Sequence, residues 1–230
     1  KAFIAGLHEA GILATGKHFP GHGDTSVDSH IALPSVAHPR SRLDEVELVP
    51  FRAAIATGID AIMTAHVTFP AIESEPGLPA TLSKKVLTGL LREELGFSGL
   101  IITDAMEMGA ITENFGLAEA SVRAVQAGAD IVLVAWPNDW RQARLAVEAI
   151  VAAVEEGKIT EERINDSVLR ILSTKQRLIG SLGPKALTRA QQQEVARVSK
   201  QVATQAMTIV RDAGSRLPLS KEAGKLLVIG

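Results

Sequence analysis

Residues 11–30 read GILATGKHFPGHGDTSVDSH. Residues 11–15 are short, apolar and bounded by glycine on both sides, and they follow a helical pattern; they predict a buried parallel strand. Residues 17–30 hold three His, two Asp and a Lys among two Gly and a Pro, which is too polar and too broken for a helix or strand interior. They predict a loop leaving the C-terminal end of that strand, where α/β enzymes carry their chemistry.

Outward from this loop the pattern repeats. Upstream, residues 1–10 put Phe3, Ile4 and Leu7 on one helical face. Downstream, residues 41–57 carry Leu43, Val46, Val49, Phe51 and Ile55 near helical spacing, and Gly58 closes the helix. Residues 61–65 predict a second buried strand ending on His66. Residues 69–80 contain three Pro and a Gly and read as an irregular loop, after which Thr81 or Ser83 caps a helix through Leu95. Residues 100–103 predict a third strand ending on Asp104, residues 119–127 a helix, and residues 129–135 a fourth apolar strand.

Residues 141–156 and 160–179 are amphipathic, the second with Ile164, Val168, Ile171, Leu172 and Leu178 on its inner side. Residues 180–184 read as a linker, 190–210 as a long helix and 225–230 as a strand. Strand and helix alternate with polar residues at the strand ends, which predicts an α/β fold: the C-terminal half of a (β/α)8 barrel. A whole barrel takes about 250 residues. Residues 1–180 are therefore expected to form a partial barrel lacking its first strands, and residues 181–230 a linker helix and the start of a second α/β domain, both termini reading as cuts. An open doubly wound sheet is the competing architecture, but no glycine-rich phosphate fingerprint follows any strand.

With 46% hydrophobic residues and a net charge of -2, the 230-residue chain can bury a sizeable core and has no electrostatic reason to seek nucleic acid. The absence of Cys excludes disulfides, zinc-thiolate sites and thiol catalysis. Tyr is absent too, so Trp136, Trp140 and six Phe are the large platforms for stacking a sugar. No apolar run approaches a membrane span.

Asp28 and His30 stand close enough in a turn for the carboxylate to fix one imidazole tautomer, leaving the other nitrogen for proton transfer near neutral pH. Lys17 and His18, at the strand end, can aim hydrogen-bond donors at a polyol. Asp24, Thr25 and Ser26 are read as turn caps. A metal site is the rival, since His18, His22, Asp24, Asp28 and His30 are all possible ligands. No His-x-x-x-His helix or Cys accompanies them, so no metal or other cofactor is expected. Asp104 ends a buried strand with its charge toward the cleft, although an Asp before Ala-Met-Glu-Met can also cap a helix. Glu107 is read as structural, in the helix that follows.

Residues 17–30, taken with ITDAMEMGA at residues 102–110, resemble glycoside hydrolase family 3, in its bacterial β-N-acetylglucosaminidase branch. The resemblance implies a retaining exo-acting β-N-acetylhexosaminidase that releases terminal N-acetylglucosamine from peptidoglycan fragments. In it Asp104 is the nucleophile, the Asp28 and His30 pair replaces the usual carboxylic acid/base, and Lys17 and His18 bind sugar hydroxyls. Met63, His66 and Met106 near strand ends are read as lining the sugar site, with plain core packing the alternative for each. The family's Asp and Arg from earlier strands have no counterpart here. The two-domain form of such relatives favours a cell-envelope or exported location, and the expected partner is a small carbohydrate. A family 3 β-glucosidase or β-xylosidase generally lacks the Asp-Ser-His loop; phosphorolysis, or a partial sugar-binding module without chemistry, are the other readings.

Overall fold

The computed structural model describes residues 1–134, 139–178 and 187–208. The chain divides into two compact units, residues 1–182 and 183–230. Trp136, the linker at residues 180–184, Ala135 at the end of the fourth apolar run, residue 179 of the predicted helix 160–179, residues 209–210 of the predicted helix 190–210 and the strand at residues 225–230 lie outside the described residues.

In the first unit, helix α1 (Ala2–Glu9) leads into strand β1 (Thr15–Phe19). A continuous helical stretch follows as α2 (Arg40–Arg42), a π-type segment (Leu43–Glu47) and α3 (Leu48–Ile55). Gly58, at φ 82°, turns the chain into β2 (Ala61–Thr64). The predicted helix before Leu95 forms as a π-type helix, Lys85–Glu94, and runs into β3 (Leu100–Ile102). Then come α4 (Gly109–Thr112), α5 (Leu117–Ala127), α6 (Trp140–Glu155) and α7 (Glu161–Leu178).

The three strands form one parallel sheet in the order β1, β2, β3, with Ala61 opposite Thr15 and Leu100 opposite Ala61. Helices between neighbouring parallel strands are what such a sheet requires. Ile62, Phe19 and Ile101 are wholly buried with Leu43, Leu48, Leu87 and Leu91 from the helices, so the core lies between the sheet and its crossovers. Among the described residues no helix is long and apolar enough to cross a membrane.

Four expectations are corrected. The first strand runs through residues 15–19, not 11–15: the Ala14 N–H is taken by the Asp60 carboxylate at 2.9 Å, and the ladder starts at Thr15. Lys17 and His18 therefore sit within the strand, and the loop begins after Phe19. The fourth apolar run is reduced to a single bridge, Ile102 to Ile131. Side chains replace ladder bonds there, since the Ile101 N–H goes to Asp130 and the Leu133 N–H to the Thr103 hydroxyl.

On α7, Ser167 and Thr174 are buried while Val168 and Leu172 are exposed. The helix is rotated so that Ser167 and Arg170 reach the buried Asp130 at 2.7 and 3.2 Å, and that ion cluster sets its inner face. Glu107 lies in a turn, because the next helix starts only at Gly109. In the second unit α8 (Arg189–Ala206) is closed at its start by a capping box between Thr188 and Gln191.

Candidate active site

Three adjacent strands deliver three groups to their C-terminal ends: His18 from β1, His66 just after β2 and Asp104 just after β3. This edge is where parallel sheets with helical crossovers hold ligands. His18 Nε2 lies 3.3 Å from Asp104 Oδ2, spanning the end of the intervening strand, with both side chains partly exposed. Half-burial pushes the His18 imidazole below its ordinary value, Asp104 pulls it back up, and Lys17 and His22 push it down again. Asp104 does not cap a helix; its Oδ1 accepts the N–H of Ala105 at 2.8 Å, and the N-cap position of α4 is Met108.

Asp28 and His30 form the expected pair. Asp28 Oδ1 accepts from both the backbone N–H and Nδ1 of His30, at 2.9 and 2.7 Å. These bonds hold the Asp28 carboxyl below the usual carboxylate range. Because the carboxylate only accepts, Nδ1 carries the proton and Nε2 is the nitrogen left to exchange one. The pair is well exposed, His30 at 75%.

The two sequence motifs meet through backbone. Gly109 N–H donates to the His30 carbonyl at 3.0 Å, and Ala110 N–H to the Ser29 carbonyl at 3.2 Å. A Cβ on Gly109 would stand 2.6 Å from the Ile31 carbonyl oxygen, so this docking requires glycine. His22, read from sequence only as a possible metal ligand, braces the loop from inside. Thr25 donates its hydroxyl proton to the His22 carbonyl, so His22 Nδ1 donates to Thr25 at 3.0 Å and Nε2 accepts from Ser29 at 2.9 Å. Its place between two glycines and ahead of two hydroxyl residues is the signal that marks it.

His66 and Met106, read from sequence as lining the sugar, are both buried in this structure. Met106 is wholly buried in the core, its N–H on the Leu133 carbonyl at 3.0 Å. His66 is 1% exposed, with Nδ1 2.8 Å from the Thr81 hydroxyl and Nε2 3.0 Å from the Ala105 carbonyl. A carbonyl only accepts, so Nε2 carries the proton. Lys17 is exposed on β1. Phe19, Phe51, Phe69 and Phe97 are buried in the core, while Trp140 is exposed.

Burial pushes the His66 imidazole down to about 4, against an ordinary 6.5. Between those values the unfolded chain binds a proton that the native one refuses, so stability rises with pH across this window and is lost as pH falls toward 4. The penalty amounts to roughly 3 kcal/mol at full protonation. Urea midpoints should therefore fall more steeply from pH 7 to pH 4 in the wild type than in His66→Gln. Parallel curves would mean that the ring titrates freely.

Among the described residues, Asp24, His38 and Glu47 are close enough to share a cation. Arg42 already supplies positive charge there, 3.1 Å from Glu47 and 3.9 Å from Asp24, and His38 pairs with Asp24 at 2.6 Å. Asp24 is thus an ion-pair partner as well as a turn residue. A cavity of about 740 Å³ lies beside β1, lined by Ile4, Lys17, His18, Glu47 and Phe51 among others; it includes neither Asp104 nor His30.

The chain matches the family described as glycosyl hydrolase family 3 N terminal domain over residues 1–174. It is 34% identical to the β-hexosaminidase A of Pseudoalteromonas piscicida, covering 96% of this chain and 40% of that protein. Identity to a β-hexosaminidase of Pseudomonas aeruginosa is 42%, over 69% of this chain and 45% of the relative. Among solved structures, a family 3 β-N-acetylglucosaminidase from Paenibacillus sp. str. FPU-7 superposes with a TM-score of 0.80 at 50% identity, covering 86% of this chain and 39% of that one. The chain spans less than half the length of each of these proteins.

Proposed function

The chain belongs to glycosyl hydrolase family 3, and from that premise we propose that the protein is a retaining exo-β-N-acetylhexosaminidase acting on terminal β-linked N-acetylglucosamine. The observation that carries this is the docking of the two motifs. The loop bearing Asp28 and His30 is fastened by backbone bonds to the segment that follows Asp104. This docking supports reading Asp104 as the nucleophile and His30 as the proton donor of one site.

In this reading Asp104 attacks the anomeric carbon, the leaving oxygen takes the proton of His30 Nε2, and the same imidazole then deprotonates the water that releases the sugar. Asp28 keeps the other nitrogen protonated. A His in this role needs no carboxyl raised above its ordinary range. Lys17 and His18 act as donors to sugar hydroxyls, and His18 also lies against Asp104. Met106 contributes packing.

We read the parallel strands, with the bridge at Ile131, as the latter part of a (β/α)8 barrel, and residues 181–230 as a linker helix opening a second α/β domain. Sequential strand order and polar residues at the C-terminal strand ends support this. Fragments of peptidoglycan are the substrate class that fits terminal N-acetylglucosamine. The relatives' names support a hexosaminidase.

On the full-length protein, kcat/KM for an aryl β-N-acetylglucosaminide should exceed that for the matching glucoside or xyloside by roughly 100-fold, because a site built to bind the acetamide leaves polar groups unpaired without it. Inorganic phosphate should leave the rate unchanged. Preference for the glucoside would replace this reading with a β-glucosidase, and a sugar 1-phosphate product with a phosphorylase.

A further inference from the structure

We propose that His66 is a positioning residue for Asp104, acting through the Ala105–Met106 peptide and not through contact with the sugar. The inference rests on the reading of Asp104 as the nucleophile. Asp104 lies in a short irregular segment between β3 and α4, where no ladder or helix fixes the backbone. Its Oδ1 is oriented by the N–H of Ala105. What holds Ala105 therefore helps to set where the carboxylate points, together with His18 Nε2 at 3.3 Å from its Oδ2.

The peptide that follows is clamped at both ends. His66 Nε2–H donates to the Ala105 carbonyl at 3.0 Å, and the Met106 N–H donates to the Leu133 carbonyl at 3.0 Å. On the other side of Asp104, the Thr103 N–H donates to the Ile131 carbonyl at 3.0 Å. Two of these three anchors are backbone carbonyls; His66 is the side chain among them.

His66 is itself fixed from behind. Its Nδ1 lies 2.8 Å from the Thr81 hydroxyl, whose one proton is shared between that nitrogen and the Ala65 carbonyl at 3.0 Å, and the Thr64 hydroxyl stands 2.7 Å from the same oxygen. Thr64, His66 and Thr81 are all fully buried. The groups facing the ring are thus neutral hydroxyls and carbonyls, with Asp104, His18 and His22 as the charged or titratable groups whose fields reach it. Burial keeps the imidazole neutral near pH 7, so it presents one donor and one acceptor in a fixed tautomer. A residue held within a fraction of an ångström by its supporting shell is what in-line attack demands, and a displacement of about 1 Å can cost roughly 100-fold in rate.

The test compares His66→Gln with His66→Asn in the full-length protein. The Gln amide reaches the Nε2 position and can still donate to Ala105, whereas the Asn amide ends at the Nδ1 position and keeps only the Thr81 side. Three quantities are read: the rate at which a slow fluorinated sugar labels Asp104, the inhibition constant of free N-acetylglucosamine, and the melting temperature. His66→Asn should label about 100-fold more slowly with an inhibition constant within about twofold of wild type, and His66→Gln should recover most of the rate.

Wild-type labelling rates in His66→Asn would overturn the inference. So would equal losses in both variants accompanied by equal falls in melting temperature, which would make the role only structural. A weakened inhibition constant matching the rate loss would return His66 to the sugar. Wild-type labelling at a residue other than Asp104 would instead overturn the nucleophile assignment, and this inference with it.

Discussion

Asp104→Ala in the full-length protein should lower turnover of an aryl β-N-acetylglucosaminide by roughly four orders of magnitude or more, since losing a covalent nucleophile removes the step itself. Product stereochemistry alone does not separate this from substrate-assisted attack by the sugar's acetamide, because both routes retain the β configuration. Two readouts do. A fluorinated sugar lacking the acetamide should label the wild type on the peptide containing Ile102, Asp104 and Met106, and should leave the variant unlabelled. Added azide should then restore turnover to Asp104→Ala with an α-glycosyl azide as product, the anion entering through the space vacated by the carboxylate. A β-azide, an adduct elsewhere, or complete dependence on the acetamide would mean that Asp104 orients the substrate and does not attack it.

That Asp104 was readable as a candidate follows from local features: a short apolar run, a carboxylate at its end, and a turn sequence after it. The pair Asp28 and His30 was legible for the same reason, as both partners lie within one turn and the bond between them is local. His66 was not. Its partners are Thr81, 15 positions on, and Ala105, 39 positions on, so nothing near it in sequence distinguishes a sugar ligand from a buried donor. Gly109 was hidden likewise, since the carbonyls that demand a missing Cβ come from residues 30 and 31.

The strands show the same division. Residues 61–64 and 100–102 were found by apolarity because the strands there are buried. β1 was misplaced by four residues because burial along it alternates: Lys17 and His18 are polar yet belong to the ladder, while the more apolar residues 11–14 lie between α1 and the strand. Apolarity locates a strand only where both faces are covered. The fourth run failed differently, its ladder replaced in part by the carboxylate of Asp130 and the hydroxyl of Thr103, substitutions that periodicity cannot register.

The loop with His30 gives the other large effect, and it depends on the leaving group. A proton donor contributes most when the departing oxygen is a poor leaving group, typically 100- to 10,000-fold, and about nothing when the aglycone departs unaided as an acidic phenol. His30→Ala should therefore lose roughly 1,000-fold on a disaccharide or alkyl glycoside, while first-step labelling by a dinitrophenyl glycoside stays near wild type. The second step still needs a base for water, so the glycosyl-enzyme should accumulate, and azide should speed its breakdown to the β-glycosyl azide, the opposite anomer from the one expected of Asp104→Ala. Asp28→Asn should follow the same leaving-group pattern with a smaller loss, because an amide can still bond Nδ1 but no longer selects the tautomer that leaves Nε2 to exchange the proton. Equal losses on good and poor leaving groups would remove His30 from proton transfer. The exposure of His30, 75% in this structure, would then mark it as a docking residue of the loop.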